Sequence, residues 1–240
     1  MIEIRHAQER GQASFGWLKS QHTFSFGNYH DPKQMGFSAL RVINDDHVTP
    51  GAGFAPHGHR DMEILTYVLQ GQIAHRDSEG NIAHLPAGEF QLMSAGSGIT
   101  HSEYNASDSD PLHFLQIWIL PDVYGQPPSY QQKDFGQKPG LTLVVSPDGE
   151  ADSLVIKQKM KLYQVLLDAG ETLNIDTDSG RRYYLHLIED SLAVNGLNLT
   201  GLTSEEMTLQ PGDGARLSEV SQLTLKASNE PVRALLFDLP

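Results

Sequence analysis

The fold of this chain is indicated by two short polar stretches, Pro56-His57-Gly58-His59 and Gly98-Ile99-Thr100-His101-Ser102-Glu103. Both lie in segments that alternate like β-strands, in which side chains two residues apart leave the same face of the sheet. Such a pair is separated by roughly 6.5 Å, at a rise of about 3.3 Å per residue. Two such pairs on facing strands converge on one point, which is the geometry of a metal site.

The two doublets offer three imidazoles and one carboxylate, from His57, His59, His101 and Glu103. A nitrogen and oxygen ligand set of this kind suits iron, manganese, nickel, copper or zinc. An octahedral metal would keep open positions beside these ligands, so the set predicts catalysis as well as binding. A lone H-x-H would be weak support, because the chain contains 11 histidines.

Composition narrows the class of protein. The 240 residues include no cysteine, which excludes a disulfide framework, an iron–sulfur cluster and a thiol nucleophile. The formal net charge is −13 and no basic cluster is evident, so we expect no direct contact with nucleic acid. Apolar runs are too short to span a bilayer and residues 1–5 lack the apolar core of a signal peptide, so we expect no membrane segment and a cytoplasmic location.

Strand-like runs bounded by turn residues recur along the chain, whereas helical periodicity is scarce, so we predict an all-β fold of barrels or sandwiches. Asn44-Asp45-Asp46 predicts a turn, and Asn195-Gly196 predicts a hairpin. The proline-rich and glycine-rich stretch 121–140 predicts a connection between two domains, residues 1–135 and residues 136–240.

The surroundings of the histidines match the two motifs of the cupin superfamily. The first runs from Gly51 to Glu63 in the order G-x5-H-x-H-x3-E, and the second from Gly98 to Asn105 in the order G-x2-H-x3-N. Residues 10–120 closely resemble the pirin family, in stretches such as Tyr29-His30-Asp31-Pro32, Leu40-Arg41-Val42-Ile43-Asn44 and Met62-Glu63-Ile64. The resemblance implies a bicupin, which consists of two tandem antiparallel β-barrels.

The resemblance also implies which domain binds the metal. The N-terminal cupin domain, residues 1–135, would hold it, and the C-terminal cupin domain, residues 136–240, would be metal-free. The second domain contains a single histidine, His186, which we interpret as a structural side chain.

The carboxylate ligand has two candidates. The general cupin pattern selects Glu63, whereas pirin-like proteins take the carboxylate that corresponds to Glu103. Strand parity does not decide between them, because each shares the parity of its neighbouring histidines. On the resemblance we assign the ligands as His57, His59, His101 and Glu103. Glu63 is then a supporting residue that holds an imidazole N–H, or else a carboxylate at an exposed strand edge.

Other residues receive more ordinary interpretations. The remaining histidines before residue 136 lie outside any ligand spacing, and we interpret them as surface or core groups: His6, His22, His30, His47, His75, His84 and His113. Several aromatic side chains either line an apolar pocket above the metal or pack in the core: Phe24, Phe26, Phe37, Phe54 and Trp118.

The pirin resemblance implies a quercetin 2,3-dioxygenase, in which the flavonol is cleaved by O2 with release of carbon monoxide. Glu103 would be the catalytic base that takes the proton of the flavonol 3-hydroxyl. We expect one divalent metal, Fe(II) first, with Ni, Cu, Mn or Zn as alternatives. The chain would be a monomer with a small aromatic substrate.

Two other functions remain open from the sequence. Pirin is also described as an iron-dependent cofactor of transcription, so the chain would then be a non-enzymatic binding module that acts through a protein partner. A cupin isomerase or sugar-binding protein is the third alternative, and it would require polar rather than aromatic pocket walls.

Overall fold

The computed structural model describes residues 1–198 and 200–240. Within those residues it contains β-strands and the short 3-10 helices Ala7–Glu9 and Glu150–Asp152, and no α-helix. The strands are β1 (Ile2–Arg5), β2 (Gly11–Ser14), β3 (Leu18–His22), β4 (Leu40–Val48), β5 (Gly53–His59), β6 (Glu63–Gln70), β7 (Gln72–Asp77), β8 (Ile82–Pro86), β9 (Glu89–Ser94), β10 (Ile99–Asn105), β11 (Leu112–Ile119), β12 (Ser129–Asp134), β13 (Gly140–Ser146), β14 (Leu154–Val155), β15 (Lys161–Leu167), β16 (Thr172–Asp176), β17 (Arg182–Glu189), β18 (Leu192–Asn198), β19 (Met207–Leu209), β20 (Gly214–Ser218), β21 (Val220–Ala227) and β22 (Val232–Leu239). The prediction of an all-β chain is confirmed.

No helix in the described part of the chain has the length and apolar character that crossing a membrane would require.

The chain divides into two compact units. The N-terminal unit comprises Gly11–Gly136 with Leu154–Gln158, and the C-terminal unit comprises Met1–Arg10, Gln137–Ser153 and Lys159–Pro240. The first ten residues join the C-terminal unit because β1 pairs antiparallel with β20. A single division between residues 135 and 136 does not describe this arrangement, since pairing between strands so distant in the chain leaves no local trace in the sequence.

The N-terminal unit contains two antiparallel sheets. One has the strand order β12-β9-β6-β11-β4-β3-β2, and the other is four-stranded with the order β5-β10-β7-β8. Burial alternates along β10, in which His101 and Glu103 are buried and Thr100 and Tyr104 are exposed. The period of two therefore directs both candidate ligands on this strand into the interior of the unit.

The C-terminal unit repeats the pattern of a larger and a smaller sheet. The larger has the strand order β1-β20-β17-β22-β15-β13, and the smaller has the order β16-β21-β18-β19. Leucine and valine side chains fill its core, among them Leu185, Leu217, Leu223 and Leu225. Full burial of each such side chain stabilises the fold by about 1.5–3 kcal/mol.

The structure corrects the turn predicted at Asn44-Asp45-Asp46, because β4 continues through these residues to Val48. Asn44 Oδ1 lies 2.7 Å from His22 Nδ1, and the Ser20 hydroxyl donates a hydrogen bond to the Asp46 side chain. Residues of the neighbouring strand β3 contact Asn44 and Asp46, so tertiary contacts override their local preference for a turn.

Two other predictions from turn residues are also wrong in part. Stretch 121–140 is not wholly a connection, because β12 pairs with β9 over Ser129–Asp134. The Asn195-Gly196 pair lies inside β18 rather than in a hairpin. Gly196 is needed there for close packing, since a Cβ at this position would lie 2.8 Å from Val220 Cγ1.

Candidate metal centre

Strand β10 lies between β5 and β7 in the four-stranded sheet of the N-terminal unit. Its His101 is opposite His57 on one side and opposite Asp77 on the other, while Ile99 is opposite His59. The register with β5 shifts between His101 and Glu103, as at a β-bulge. Bulges often occur beside functional sites, where they redirect a side chain.

The structure brings the predicted imidazoles together. The ligand atoms of His57, His59 and His101 all lie within 4.8 Å of one another. Their ring centroids are separated by 4.8 Å (His57–His59), 4.5 Å (His57–His101) and 4.9 Å (His59–His101). Three nitrogen donors from adjacent strands therefore point to one small volume, as the spacing of the doublets predicts.

Glu103 lies beside this cluster, with its Oε2 4.0 Å from His101 Nε2. Both ring nitrogens of His101 and the Oε1 atom of Glu103 are buried and have no hydrogen-bond partner. Leaving a buried polar atom unsatisfied costs about 1–3 kcal/mol, so these atoms are expected to meet a bound group. Nitrogen and carboxylate donors in this state fit a divalent transition metal.

The orientation of His57 is fixed by the backbone, because its Nδ1 lies 2.8 Å from the carbonyl oxygen of Ala55. A hydrogen bond from Nδ1 to this carbonyl leaves Nε2 as the nitrogen that would face a metal.

Burial sets the protonation of the site. It lowers the pKa of His59 to about 4 and that of His101 to about 3, and repulsion from the neighbouring imidazoles acts in the same direction. Both rings are therefore neutral near pH 7, which is the form that binds metals. Burial also raises the pKa of the Glu103 carboxyl, although His75 and Gln116 oppose that shift.

Gln116 is a site residue that the sequence interpretation missed. Its Nε2 donates a 2.9 Å hydrogen bond to Glu103 Oε2, and its Oε1 accepts a 2.8 Å bond from the Thr66 hydroxyl. Gln116 lies on β11 midway between Phe114 and Trp118, with the same strand parity. A polar residue between two aromatic residues on the same face of a strand is a pattern in the sequence that could have indicated this site residue.

His75 was also placed among the ordinary histidines, but it lies directly opposite Glu103 on β7 and is buried. Its Nε2 is 3.1 Å from Asp77 Oδ2, and its ligand atom lies within 4.8 Å of those of His101 and Glu103. Burial alone would raise the pKa of Asp77, but hydrogen bonds from Asn81 and His75 hold it below its usual range. His75 with Asp77 thus forms a third doublet, H-x-D, against the site.

The supporting role predicted for Glu63 is wrong. Glu63 is buried on β6, which belongs to the other sheet, and its Oε2 accepts hydrogen bonds from Ser94 Oγ at 2.7 Å and the Lys157 N–H at 3.3 Å. These partners are a hydroxyl and a backbone amide, so Glu63 does not hold an imidazole. It is not an exposed edge carboxylate either, because β6 lies between β9 and β11.

A cavity of about 680 Å³ opens onto the cluster and is bordered by His57, His59 and Glu103. Its volume is in the range of small-molecule sites. Phe26, Phe54 and Trp118 line it, whereas Phe24 and Phe37 do not. The Trp118 ring meets the rings of Phe26 and His59 edge to face, at centroid distances of 5.3 and 5.0 Å.

A further His/Asp cluster lies apart from this cavity. His113 Nε2 is 2.7 Å from Asp45 Oδ1, and the rings of His113 and His47 stack at 3.9 Å. The His47 side chain is 55% exposed, in agreement with its interpretation as a surface group.

The C-terminal unit has apolar side chains at the positions that correspond to the site. Strand β21 has the same place in its sheet as β10. Its Leu223 and Leu225 are buried in the apolar core, and the residues opposite them on β16, Ile175 and Leu173, are partly buried and pack against that core. The His/Asp/Glu groups able to hold a metal within residues 1–198 and 200–240 all lie in the N-terminal unit.

Comparison with known proteins agrees with this geometry. Residues 3–119 match the family model described as Pirin, and residues 143–239 match the one described as quercetinase C-terminal cupin domain. A quercetin 2,3-dioxygenase of Escherichia coli (strain K12) is 46% identical over 240 residues, which cover 100% of this chain and 99% of the relative. The pirin-like protein YhaK of the same strain is 38% identical, with 100% of both chains covered.

The solved structures include the bacterial pirin YhhW of Escherichia coli in complex with nickel(II), which has a TM-score of 0.93 and 45% identity. The alignment covers 100% of this chain and 99% of that one. Both the sequence and the fold therefore place this chain in the pirin family of bicupin proteins.

Proposed function

We propose that this protein is a metal-dependent dioxygenase that cleaves the flavonol quercetin with O2 and releases carbon monoxide. The observation that carries the proposal is the cluster of His57, His59 and His101 beside buried Glu103, in a cavity with aromatic walls. The quercetin 2,3-dioxygenase that is 46% identical over the full chain supports the same activity.

The residues that would hold the metal are His57, His59, His101 and Glu103. The ligand atoms of the three histidines lie within 4.8 Å of one another, and His101 and Glu103 also have buried donor atoms without a partner. When bound there, the metal supplies Lewis acidity that lowers the pKa of a flavonol hydroxyl and favours reaction with O2.

Glu103 would receive the proton of the flavonol 3-hydroxyl. Its Oε1 has no partner and is the atom available to accept it, while Oε2 is held by Gln116. In the metal-free protein, burial raises the pKa of this carboxyl, which favours its acceptance of a proton. A base with a pKa nearer to the working pH transfers protons more effectively.

The aromatic walls would hold the flat rings of the substrate and exclude water. Phe26, Phe54 and Trp118 provide apolar surface next to the histidines. The aromatic rings next to the histidines favour a flat aromatic substrate over the ligand of a sugar-binding or isomerase cupin, although β3 and β4 also place polar side chains on the cavity wall.

We propose Fe(II) as the metal, since histidine and carboxylate ligands with open positions suit O2 chemistry. Intrinsic affinity favours nickel, copper or zinc over iron at such a site, so the metal found after aerobic purification depends on supply. The N-terminal unit would carry this metal and the C-terminal unit none. The monomeric state, the cytoplasmic location and the lack of direct nucleic-acid contact remain predictions from the sequence.

The test is anaerobic purification with elemental analysis, followed by reconstitution with Fe(II) and measurement of O2 uptake and carbon monoxide with quercetin. We expect both signals from the loaded protein and neither from the metal-free protein. Equal rates with and without metal would contradict the proposal and favour the non-enzymatic alternative, an iron-dependent module that contacts a protein partner.

A further inference from the structure

The wall of the cavity formed by β3 and β4 carries polar side chains that the metal site does not use. Ser20, His22, Asn44 and Asp46 all line the cavity and are buried. His22 and Asn44 satisfy each other through the 2.7 Å contact between Nδ1 and Oδ1. Asp46 is the member of this group that has a side-chain oxygen without a hydrogen-bond partner.

The Asp46 carboxyl is 3% exposed and receives a hydrogen bond from the Ser20 hydroxyl. Its Oδ1 atom is buried and has no hydrogen-bond partner. Burying a carboxyl oxygen without a partner costs free energy, so such an atom in a cavity wall is expected to meet a ligand.

The metal centre does not account for Asp46. The residue lies on β4, in the larger sheet, whereas the histidine cluster lies on β5 and β10 of the other sheet. Asp46 is outside both groups of potential ligands that contain His101. Its cross-strand neighbours are Ser20 on β3 and Phe114 on β11, neither of which satisfies Oδ1.

An aromatic ligand in this cavity would therefore meet two hydrogen-bonding sites, the histidine cluster and Asp46. We propose that Asp46 binds a phenolic hydroxyl group of the flavonol, other than the 3-hydroxyl held at the histidines, so that the cavity selects polyhydroxylated aromatic substrates. This inference rests on the flavonol substrate proposed above. A site built to hydrogen-bond a substrate hydroxyl discriminates strongly against analogues that lack it, because the buried group is then left unpaired.

The protonation of Asp46 is compatible with this role. Burial raises the pKa of its carboxyl to about 7, and the hydrogen bond from Ser20 opposes that shift. A phenol can donate to the ionised form or accept from the protonated form, so a hydrogen bond is available in both states.

The experiment compares quercetin with 3-hydroxyflavone, which retains only the 3-hydroxyl. Dissociation constants are measured under nitrogen on the Fe(II)-loaded protein, by quenching of tryptophan fluorescence. We expect Asp46→Leu, similar in size but unable to hydrogen-bond, to weaken quercetin binding about 10–100-fold and 3-hydroxyflavone binding less than about 3-fold. Asp46→Asn retains hydrogen-bonding atoms and should recover most of the quercetin affinity.

Asp176→Asn is the control for loss of one negative charge, because Asp176 is exposed on β16 of the C-terminal unit. It should leave both dissociation constants unchanged. Metal content and thermal unfolding of each variant establish that the site and the fold are intact. If Asp46→Leu weakened both ligands equally, or neither, the inference would be overturned.

Turnover distinguishes this failure from failure of the proposed function. If the wild-type protein consumed O2 with quercetin while Asp46→Leu affected the binding of quercetin and 3-hydroxyflavone equally, only the role of Asp46 would be refuted. A contrast without any turnover would support the hydroxyl-binding role and contradict the dioxygenase.

Discussion

The side-chain amide of Gln116 connects two buried groups, since it donates a 2.9 Å hydrogen bond to Glu103 Oε2 and accepts one of 2.8 Å from Thr66. The Glu103 carboxylate accepts but does not donate, so it fixes which end of the amide faces it, and the Thr66 hydroxyl then donates to the other end. The carboxylate is thereby oriented with Oε1 as the atom without a partner.

Replacing Gln116 by Leu should therefore loosen Glu103 without removing a proposed ligand. We expect turnover or metal affinity to fall about 10–100-fold, as is typical when the partner that orients a ligand is lost. The check is metal content together with turnover per bound metal. Gln164→Leu is the control, because Gln164 is a buried glutamine on β15 of the C-terminal unit. Equal losses in the two variants would contradict the orienting role.

Glu103→Gln should separate chemistry from metal binding. The amide keeps one oxygen donor but loses the charge and the basicity, so turnover per bound metal should fall by about 10²–10⁴-fold and metal affinity by less. Glu63→Gln should leave turnover nearly unchanged, since Glu63 bonds to Ser94 and the Lys157 N–H rather than to an imidazole. If Glu63→Gln abolished turnover while Glu103→Gln remained active, the carboxylate ligand would be Glu63 rather than Glu103.

His101→Ala should empty the site, because His101 belongs both to the group with His57 and His59 and to the group with His75 and Glu103. Wild-type protein reconstituted with Fe(II) should bind one tight equivalent per chain, and the variant none. The C-terminal unit should stay folded, since it has its own apolar core, in which leucine and valine predominate. Elemental analysis and thermal unfolding provide the measurements, and full occupancy in the variant would show that the ligand set is wrong.

Asp46 should make stability depend on pH. Its pKa is raised by burial from 3.8 to about 7, so between these values the folded protein holds one more proton than the unfolded chain. Stability is then lost as the pH rises through that window, by up to about 1.4 kcal/mol per pH unit. Asp46→Asn cannot titrate, so its advantage in free energy of unfolding over wild type should grow from about pH 4 to about pH 7 and then level off. Denaturant unfolding across this range would contradict the prediction if the difference stayed constant.

The sequence by itself predicted an all-β chain and, through its resemblance to the pirins, two cupin domains with three candidate histidine ligands in the first. Alternation along a strand is local, so His57 with His59, and His101 with Glu103, could be assigned to common faces before any pairing was known. No histidine doublet follows residue 104, so the sequence predicts a metal-free C-terminal domain, and this stays a prediction.

Only the tertiary structure decided which groups meet across strands. The pairing of β4 with β3 and β11 placed Asp46 against Ser20, and that of β10 with β7 placed His75 opposite Glu103. Glu63 has the same strand parity as the ligands, yet it lies in the other sheet and bonds to Ser94. Register between distant strands follows from side-chain packing over the whole unit, and no local pattern in the sequence encodes it.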